Sequence, residues 1–387
     1  RSRGLGDVYK RQCLQRSLRN NLSIKSQEVE WEIAEWNIHR EWAGFEPLLG
    51  ASARREAEKR ENTVEQTRSQ LSNLFEEENE IYDVGLEGLF FSGARYRLGY
   101  SVSDLANNLT NRTFQTEFES QYASFLGASL TQPLLKGAWL SANMAGVRLA
   151  TAQQDKATHT LRRQVMQIVA QTEVSYWDLV LAQEEYEART ESVRVAERIL
   201  EDNRERVRSG KMSELEVLQA QAGVADRKTR QNDARQELIE AVHRLRTLFS
   251  ETVTEEQPTL LAVEKPELED VAYDFTQMMY LATQLQPDYL VRESELDEED
   301  VRLAYAKNQR WPQIDLVGSY GYNGLGETTS DSWDKLESGE FPAWSIGLEL
   351  KIGLGADQRA RSEERAARLR QEQALMHLKH TEIEIGN

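Results

Sequence analysis

Apolar residues along this chain recur in two rhythms, and each rhythm predicts an element. From 14 to 44, Ile24, Val29, Ile33, Trp36 and Ile38 fall at mixed helical spacings among charges, which predicts a helix closed by Gly44 and Pro47. A β region is expected over 46–135, interrupted by a charged insertion at 56–83 that has neither rhythm. From 84 the period becomes two. In "RYRLGYSVS", Tyr96, Leu98, Tyr100 and Val102 alternate with Arg95, Arg97, Gly99, Ser101 and Ser103, a strand with one apolar and one polar face. The turn "SGA" joins it to a strand at 84–91, and "YASFLGASLTQPLL" supplies another, closed by Pro133 and Gly137.

A helical pattern then runs from 138 to 208 with no proline and only Gly146 as a breaker, a rod of about 105 Å at 1.5 Å per residue. Tyr186, Val193, Leu200 and Val207 recur every seven residues, with Ala196 offset between them, as in a coiled-coil seam. Gly210 suits a C-cap and Ser213 an N-cap, so 209–213 reads as a tip turn. The return helix, 214–249, is expected to carry Leu215, Leu218, Ala222, Ala225, Leu238, Val242 and Leu245 on one stripe. Residues 250–270 hold two prolines and many acids and read as an irregular connector.

After the connector the order starts again. A helix is predicted over 271–308, strands over 312–322 and 342–354, and a helix over 356–387. Ile314, Leu316, Tyr320 and Tyr322 lie opposite Asp315, Ser319 and Gly321. Trp344, Ile346, Leu348, Leu350, Ile352 and Leu354 alternate with Ser345, Gly347, Glu349, Lys351 and Gly353. Helix, strands and long helix therefore occur twice, as a first repeat at 13–249 and an incomplete second at 271–387. The offset is about 265 residues at the first helices and about 220 at the last strands, too long a period for a solenoid.

Composition narrows the class. A net charge of −18 and a pI near 5.0 leave no basic groove for nucleic acid. The single cysteine, Cys13, rules out an internal disulfide framework. Mean hydropathy is −0.65 and no run of eighteen apolar residues occurs, so no transmembrane helix is predicted. Membrane β-strands, with alternating polarity over about ten residues, barely register in such averages. Residues 1–12, "RSRGLGDVYKRQ", look like a translated adaptor and are set aside as a non-native leader. The end, "HTEIEIGN", stops inside a helical pattern, so truncation is expected at both ends.

The strand faces carry the functional question. A sandwich core needs several more strands than either repeat offers, whereas strands pooled from several copies can close a barrel. In a membrane barrel Arg95, Arg97, Asp315, Glu349 and Lys351 would face a wet interior. Tyr96, Tyr100, Tyr320, Tyr322 and Trp344 would stand at the lipid headgroups. Aromatic alternation also occurs in exposed sheets of soluble proteins, and that reading stays open here. His377 and His380 have a metal-compatible spacing but no third ligand, and they read as solvated surface. No phosphate loop, nucleophile elbow or Cys/His dyad is present, so no catalytic, cofactor-binding or metal residue is expected.

"LTQPLLKGAW", "VSYWDLVLAQEEYE", "RVRSGKMSELEVLQAQ" and "PQIDLVGSYGYNGLG", in this order, resemble the TolC-like outer-membrane efflux family over roughly residues 13–387. The resemblance implies a mixed α and transmembrane β fold. Three copies would pool their strands into one outer-membrane β-barrel, continuous with a long periplasmic α-helical barrel. It implies a passive exit channel of an efflux or type I secretion system in a Gram-negative-type bacterium. The channel would dock through its helical tips onto a periplasmic adaptor (a membrane fusion protein) and an inner-membrane pump. It marks Arg208, Gly210, Ser213, Glu216, Val217 and Leu218 as the adaptor-docking tip, with Glu216 where the family commonly has Asp. Residues 250–270 would form the equatorial connector. The family needs two strands per repeat, fewer than the first repeat offers. The runner-up reading is a periplasmic coiled-coil scaffold or adaptor without a pore.

Overall fold

The computed structural model describes residues 7–63, 74–107, 120–249, 260–264, 274–353 and 357–387. Strand β1 (Asp7–Val8) and helices α1 (Lys10–Asn20) and α2 (Leu22–Ala43) come first, then strands β2 (Leu48–Glu61), β3 (Leu74–Leu89), β4 (Arg95–Asn107) and β5 (Ser120–Pro133). A short helix, α3 (Leu140–Asn143), precedes the long helix α4 (Ala145–Arg208) and its return α5 (Glu214–Thr247). Strand β6 (Leu261–Ala262), helices α6 (Phe275–Leu285) and α7 (Pro287–Gln309), strand β7 (Gln313–Gly326), helix α8 (Thr329–Ser338), strand β8 (Pro342–Lys351) and helix α9 (Gln358–Gly386) complete the order. The chain divides into two compact units, one of residues 1–33, 155–291 and 381–387, the other of 34–154 and 292–380.

The first unit is helical. Within it α4 and α5 run antiparallel: Gln231 donates to Thr190 at 3.0 Å, Lys228 meets Glu197 at 2.7 Å, and Leu200 packs with Val224. Its core gathers Cys13 of α1, Tyr176, Leu179 and Ala182 of α4, Ala241, Val242 and Leu245 of α5, and Leu260 beside β6. The alanines let the helices approach closely, and the buried Thr172 hydroxyl donates to Ser17 at 3.0 Å. Burial pushes the Cys13 thiol up to about 11.

Several expectations differ from the structure. The helix expected at 14–44 is two helices. Asn21 turns extended and its side chain accepts from the backbone N–H of Ser23 and Ile24, capping α2. Residues 7–12, set aside as a leader, form β1, which pairs with β6, and the first turn of α1, where Lys10 meets Glu173 at 2.8 Å. The helix expected at 271–308 breaks at Gln286 because Pro287 restricts the residue before it and starts α7 well. The stripe on the return helix holds in its second half, where Leu238, Val242 and Leu245 pack inward, and shifts near the tip: Leu215, Leu218, Ala222 and Ala225 are exposed, while Val217 and Ala220 pack inward and Val224 is buried. The connector at 250–270 lies outside the described residues except for 260–264, as do 64–73 of the insertion and 354–356 at the β8 to α9 junction.

The second unit holds one antiparallel sheet in the order β2-β3-β4-β5-β7-β8. Its first hairpin corrects the insertion at 56–83, of which 56–61 and 74–83 are strand. Charge rather than apolar alternation holds it, for Arg55 meets Glu78 at 2.8 Å and Lys59 meets Glu76 at 2.6 Å across the strands. A helix absent from the pattern, α8, follows β7. Thr328 caps its start, Gly339 ends it in the left-handed region, and Ser332 is fully buried against Ser124.

Candidate functional site

Directly opposed residues of an antiparallel sheet share a face, so the register sorts every strand side chain. One row runs Leu49, Leu86, Leu98, Ala128, Tyr320, Trp344, and the next runs Ala51, Val84, Tyr100, Leu126, Tyr322, Pro342. Tyr96 pairs with Leu130 on the same face. The register therefore brings Tyr96, Tyr100, Tyr320, Tyr322 and Trp344 together on one apolar face. Its side chains stand free of any partner sheet among the described residues, with Trp344, Ile346 and Leu348 each about 70% exposed. Tyr96, Tyr100 and Tyr322 are partly covered: the Phe90 ring lies 4.6 Å from that of Tyr96, and Trp333 of α8 packs edge-on against Tyr100 at 5.2 Å.

The opposite face collects Arg95, Arg97, Asp315, Glu349 and Lys351. Arg95 pairs with Thr131, Arg97 with Ser129, Asp315 with Glu349, and Gln313 with Lys351. Arg97 makes an ion pair with Asp83, and Lys351 meets Glu349 at 3.6 Å. Asp315 differs from its expected wet setting: it is buried, and Gln313 donates to it at 2.6 Å.

Two features of the sheet lie beyond reading from sequence alone. The first is a line of glycines on the polar face. Gly50 pairs with Gly85, Gly85 with Gly99, Gly99 with Gly127, Gly127 with Gly321, and Gly321 with Ala343. The Phe125 ring lies across this line, so a Cβ on Gly127 would come within 2.5 Å of it and one on Gly321 within 2.6 Å. The second is a drift of the apolar band. Ala51, in the middle of the β2 apolar stretch, falls in the row of Pro342, whereas the β8 stretch from Trp344 to Leu350 is centred on residue 347, five residues further along. One residue per strand is about 3.4 Å along for each 4.8 Å across, an inclination of about 35°. Strands of closed barrels tilt by about 35–45°.

The helical turn is built from local chemistry. Gly210 has φ 73°, its N–H donates to Val207 O, and the Lys211 N–H donates to Arg206 O, which closes α4 in a Schellman motif. Ser213 is extended and its hydroxyl accepts from Leu215 N at 3.3 Å, and Glu214 and Glu216 complement the start of α5. Arg208, Gly210, Ser213, Glu216 and Leu218 are exposed, whereas Val217 packs against the small cluster that Leu200 and Ala196 of α4 form with Val224. Leu215 joins Leu218 outside, each about 60% exposed and one turn apart. That this shared face is the exposed one becomes legible only once α4 has claimed Val217.

Among the described residues no helix is long and apolar enough to cross a membrane, and no group of three or more His, Cys, Asp or Glu is placed to hold a metal ion.

Residues 96–250 match the family model described as outer membrane efflux protein. The chain is similar in structure to the Campylobacter jejuni CmeC outer membrane channel, with 17% identity, 97% of this chain and 68% of that one covered, and a TM-score of 0.64. It is similar to the outer-membrane channel OprN, with 16% identity, 96% and 70% covered, and a TM-score of 0.67. It is also similar to the outer membrane protein VceC from Vibrio cholerae, with 13% identity, 97% and 75% covered, and a TM-score of 0.61. No curated protein matches the chain in sequence. The matched family is one of transport channels, not of enzymes.

Proposed function

Because residues 96–250 carry the outer membrane efflux protein domain within the fold of the TolC-like channels, we propose that the chain is a passive outer-membrane exit channel. It works as a homotrimer whose sheets join into one barrel, with the aromatic face toward lipid and the polar face toward a wet lumen. The observation that carries this reading is the in-register apolar face, uninterrupted across six strands and bare of any covering element over most of its extent. In water a face of this kind would be an aggregation surface; in a bilayer it is the required outer wall.

The periplasmic side of the proposal rests on the tip. Leu215 and Leu218, with Arg208 and Glu216 beside them, offer an exposed apolar pair in a charged frame, suited to a helical adaptor that links the channel to an inner-membrane pump. The two-copy organisation is supported by an exact offset: α1 and α6 are both 11 residues long, and their starts, and those of α2 and α7, are 265 residues apart.

Cysteine scanning along β8 tests the wall. In intact outer membranes a water-soluble maleimide should label Ser345→Cys, Gly347→Cys and Glu349→Cys and spare Trp344→Cys, Ile346→Cys and Leu348→Cys. Equal labelling of both sets would sink the barrel. For the tip, Gly210→Val should abolish export while leaving the barrel inserted; normal export would refute docking there. A poreless coiled-coil scaffold would share the hairpin but has no use for the apolar face.

A further inference from the structure

Building on the exit-channel reading, we propose that all six strands of each copy enter the barrel wall, so that the edge of β2 pairs with the edge of β8 in the neighbouring copy. Three copies then make an 18-stranded barrel. The alternative is a wall of four strands per copy, β4, β5, β7 and β8, with the β2–β3 hairpin peeled away from it.

Three observations favour six. Every strand is long enough to cross a bilayer, from 10 residues in β8 to 16 in β3, against the about 9–11 a tilted membrane strand needs. The apolar face does not stop at β4. Tyr82, Val84 and Leu86 extend it onto β3, and Leu49, Ala51 and Ala53 extend it onto β2 in the same rows. The glycine line likewise continues through Gly85 to Gly50 instead of ending at Gly99.

The two edges are also fitted to each other. With six antiparallel strands, β2 and β8 run in opposite directions, so a β8 laid beside the next copy's β2 continues the antiparallel order. Natural sheets guard exposed edges with charge or proline. Here the guards cluster toward the strand ends: Arg54, Arg55, Lys59 and Arg60 beyond Ala53 on β2, and Pro342 at one end of β8 with Glu349 and Lys351 at the other. Between these limits Leu48 to Ala53 and Ala343 to Leu348 carry no charge, which leaves that length of each edge free to pair.

The consequence for transport is width. Strands about 4.8 Å apart and tilted by about 40° give 18 of them a diameter of about 36 Å, against about 24 Å for 12. The lumen at the membrane would admit bulkier cargo than a 12-stranded wall allows.

Disulfide cross-linking of the full chain in outer membranes decides between the two walls. Gly50→Cys and Ser52→Cys would each be combined with Ala343→Cys, Ser345→Cys or Gly347→Cys, and a parallel series would combine Gly99→Cys and Ser101→Cys with the same three. Covalent dimers and trimers in the β2 series, with none in the β4 series, are expected. Cross-links in the β4 series alone would overturn the six-strand wall while preserving the trimeric barrel. Protein that forms neither set, or that alkaline carbonate strips from the membrane, would overturn the exit-channel reading and this inference together.

Discussion

Gly210 offers the sharpest test of how the helical tip is made. Its φ of 73° lies in the left-handed region, and a Cβ built on it would meet no heavy atom within 4 Å. Replacement by alanine therefore introduces no clash, and its cost is that of holding an L-residue left-handed, about 1–2 kcal/mol. That cost falls on the turn, because the Gly210 and Lys211 N–H groups that satisfy Val207 and Arg206 depend on this conformation. The opened tip should become about 5- to 30-fold more populated. Trypsin reports that population directly when the tip recloses faster than it is cut, since Arg206, Arg208 and Lys211 flank the turn. Gly210→Ala should raise the cleavage rate by that factor, with the melting of the Tyr176–Leu179–Leu245 core unchanged. Gly210→Asn, whose side chain tolerates the left-handed region, should stay close to the parent rate. Cleavage of the alanine variant at the parent rate, or of the asparagine variant as fast as the alanine one, would refute the assignment.

Core and surface leucines should behave oppositely. Leu179→Ala, at a fully buried site, is expected to cost about 2–5 kcal/mol in chemical denaturation, whereas Leu218→Ala should cost less than about 0.5 kcal/mol and weaken adaptor binding. The buried Glu364 is held below the usual carboxylate range by hydrogen bonds from Arg310 at 2.6 Å and Arg368 at 3.2 Å. Its folded pKa is lowered, so its contribution is complete above the ordinary glutamate range and disappears as the pH falls through the lowered value. Melting of Glu364→Gln followed from pH 7 to pH 3 should accordingly decline less steeply than that of the parent; parallel curves would count against it. Gly127→Val should block assembly measured by trimer resistance to SDS, because its Cβ would press into the Phe125 ring at 2.5 Å and the Tyr320 carbonyl at 2.8 Å.

How far the sequence was legible depended on the range of the interaction. The turn at Gly210 and Ser213 rests on bonds within a few residues, and its position could be read directly. Strand parity is equally local, so the aromatic and charged sets of β4, β7 and β8 separate as their alternation indicates. The β2–β3 hairpin was opaque, since its charges resemble a loop until Arg55 and Lys59 are set opposite Glu78 and Glu76. The α5 stripe misled because apolar residues occupy both sides of the helix near the tip, and only the α4 surface at Ala196 and Leu200 selects Val217 over Leu218. The glycine line needs four registers at once. The break at Asn21 follows from a side-chain cap in an otherwise helical pattern, whereas the matching break before Pro287 had a visible signal. The two ends of α8 also carry local signals, Thr328 at its start and Gly339 at its end.

The central claim is that this chain forms a pore, and ion conductance across a planar lipid bilayer tests it most directly. Protein purified from outer-membrane fractions should give discrete current steps whose appearance follows the trimer fraction. Trimer that inserts stably and yields no current above that of the bare bilayer would contradict the account.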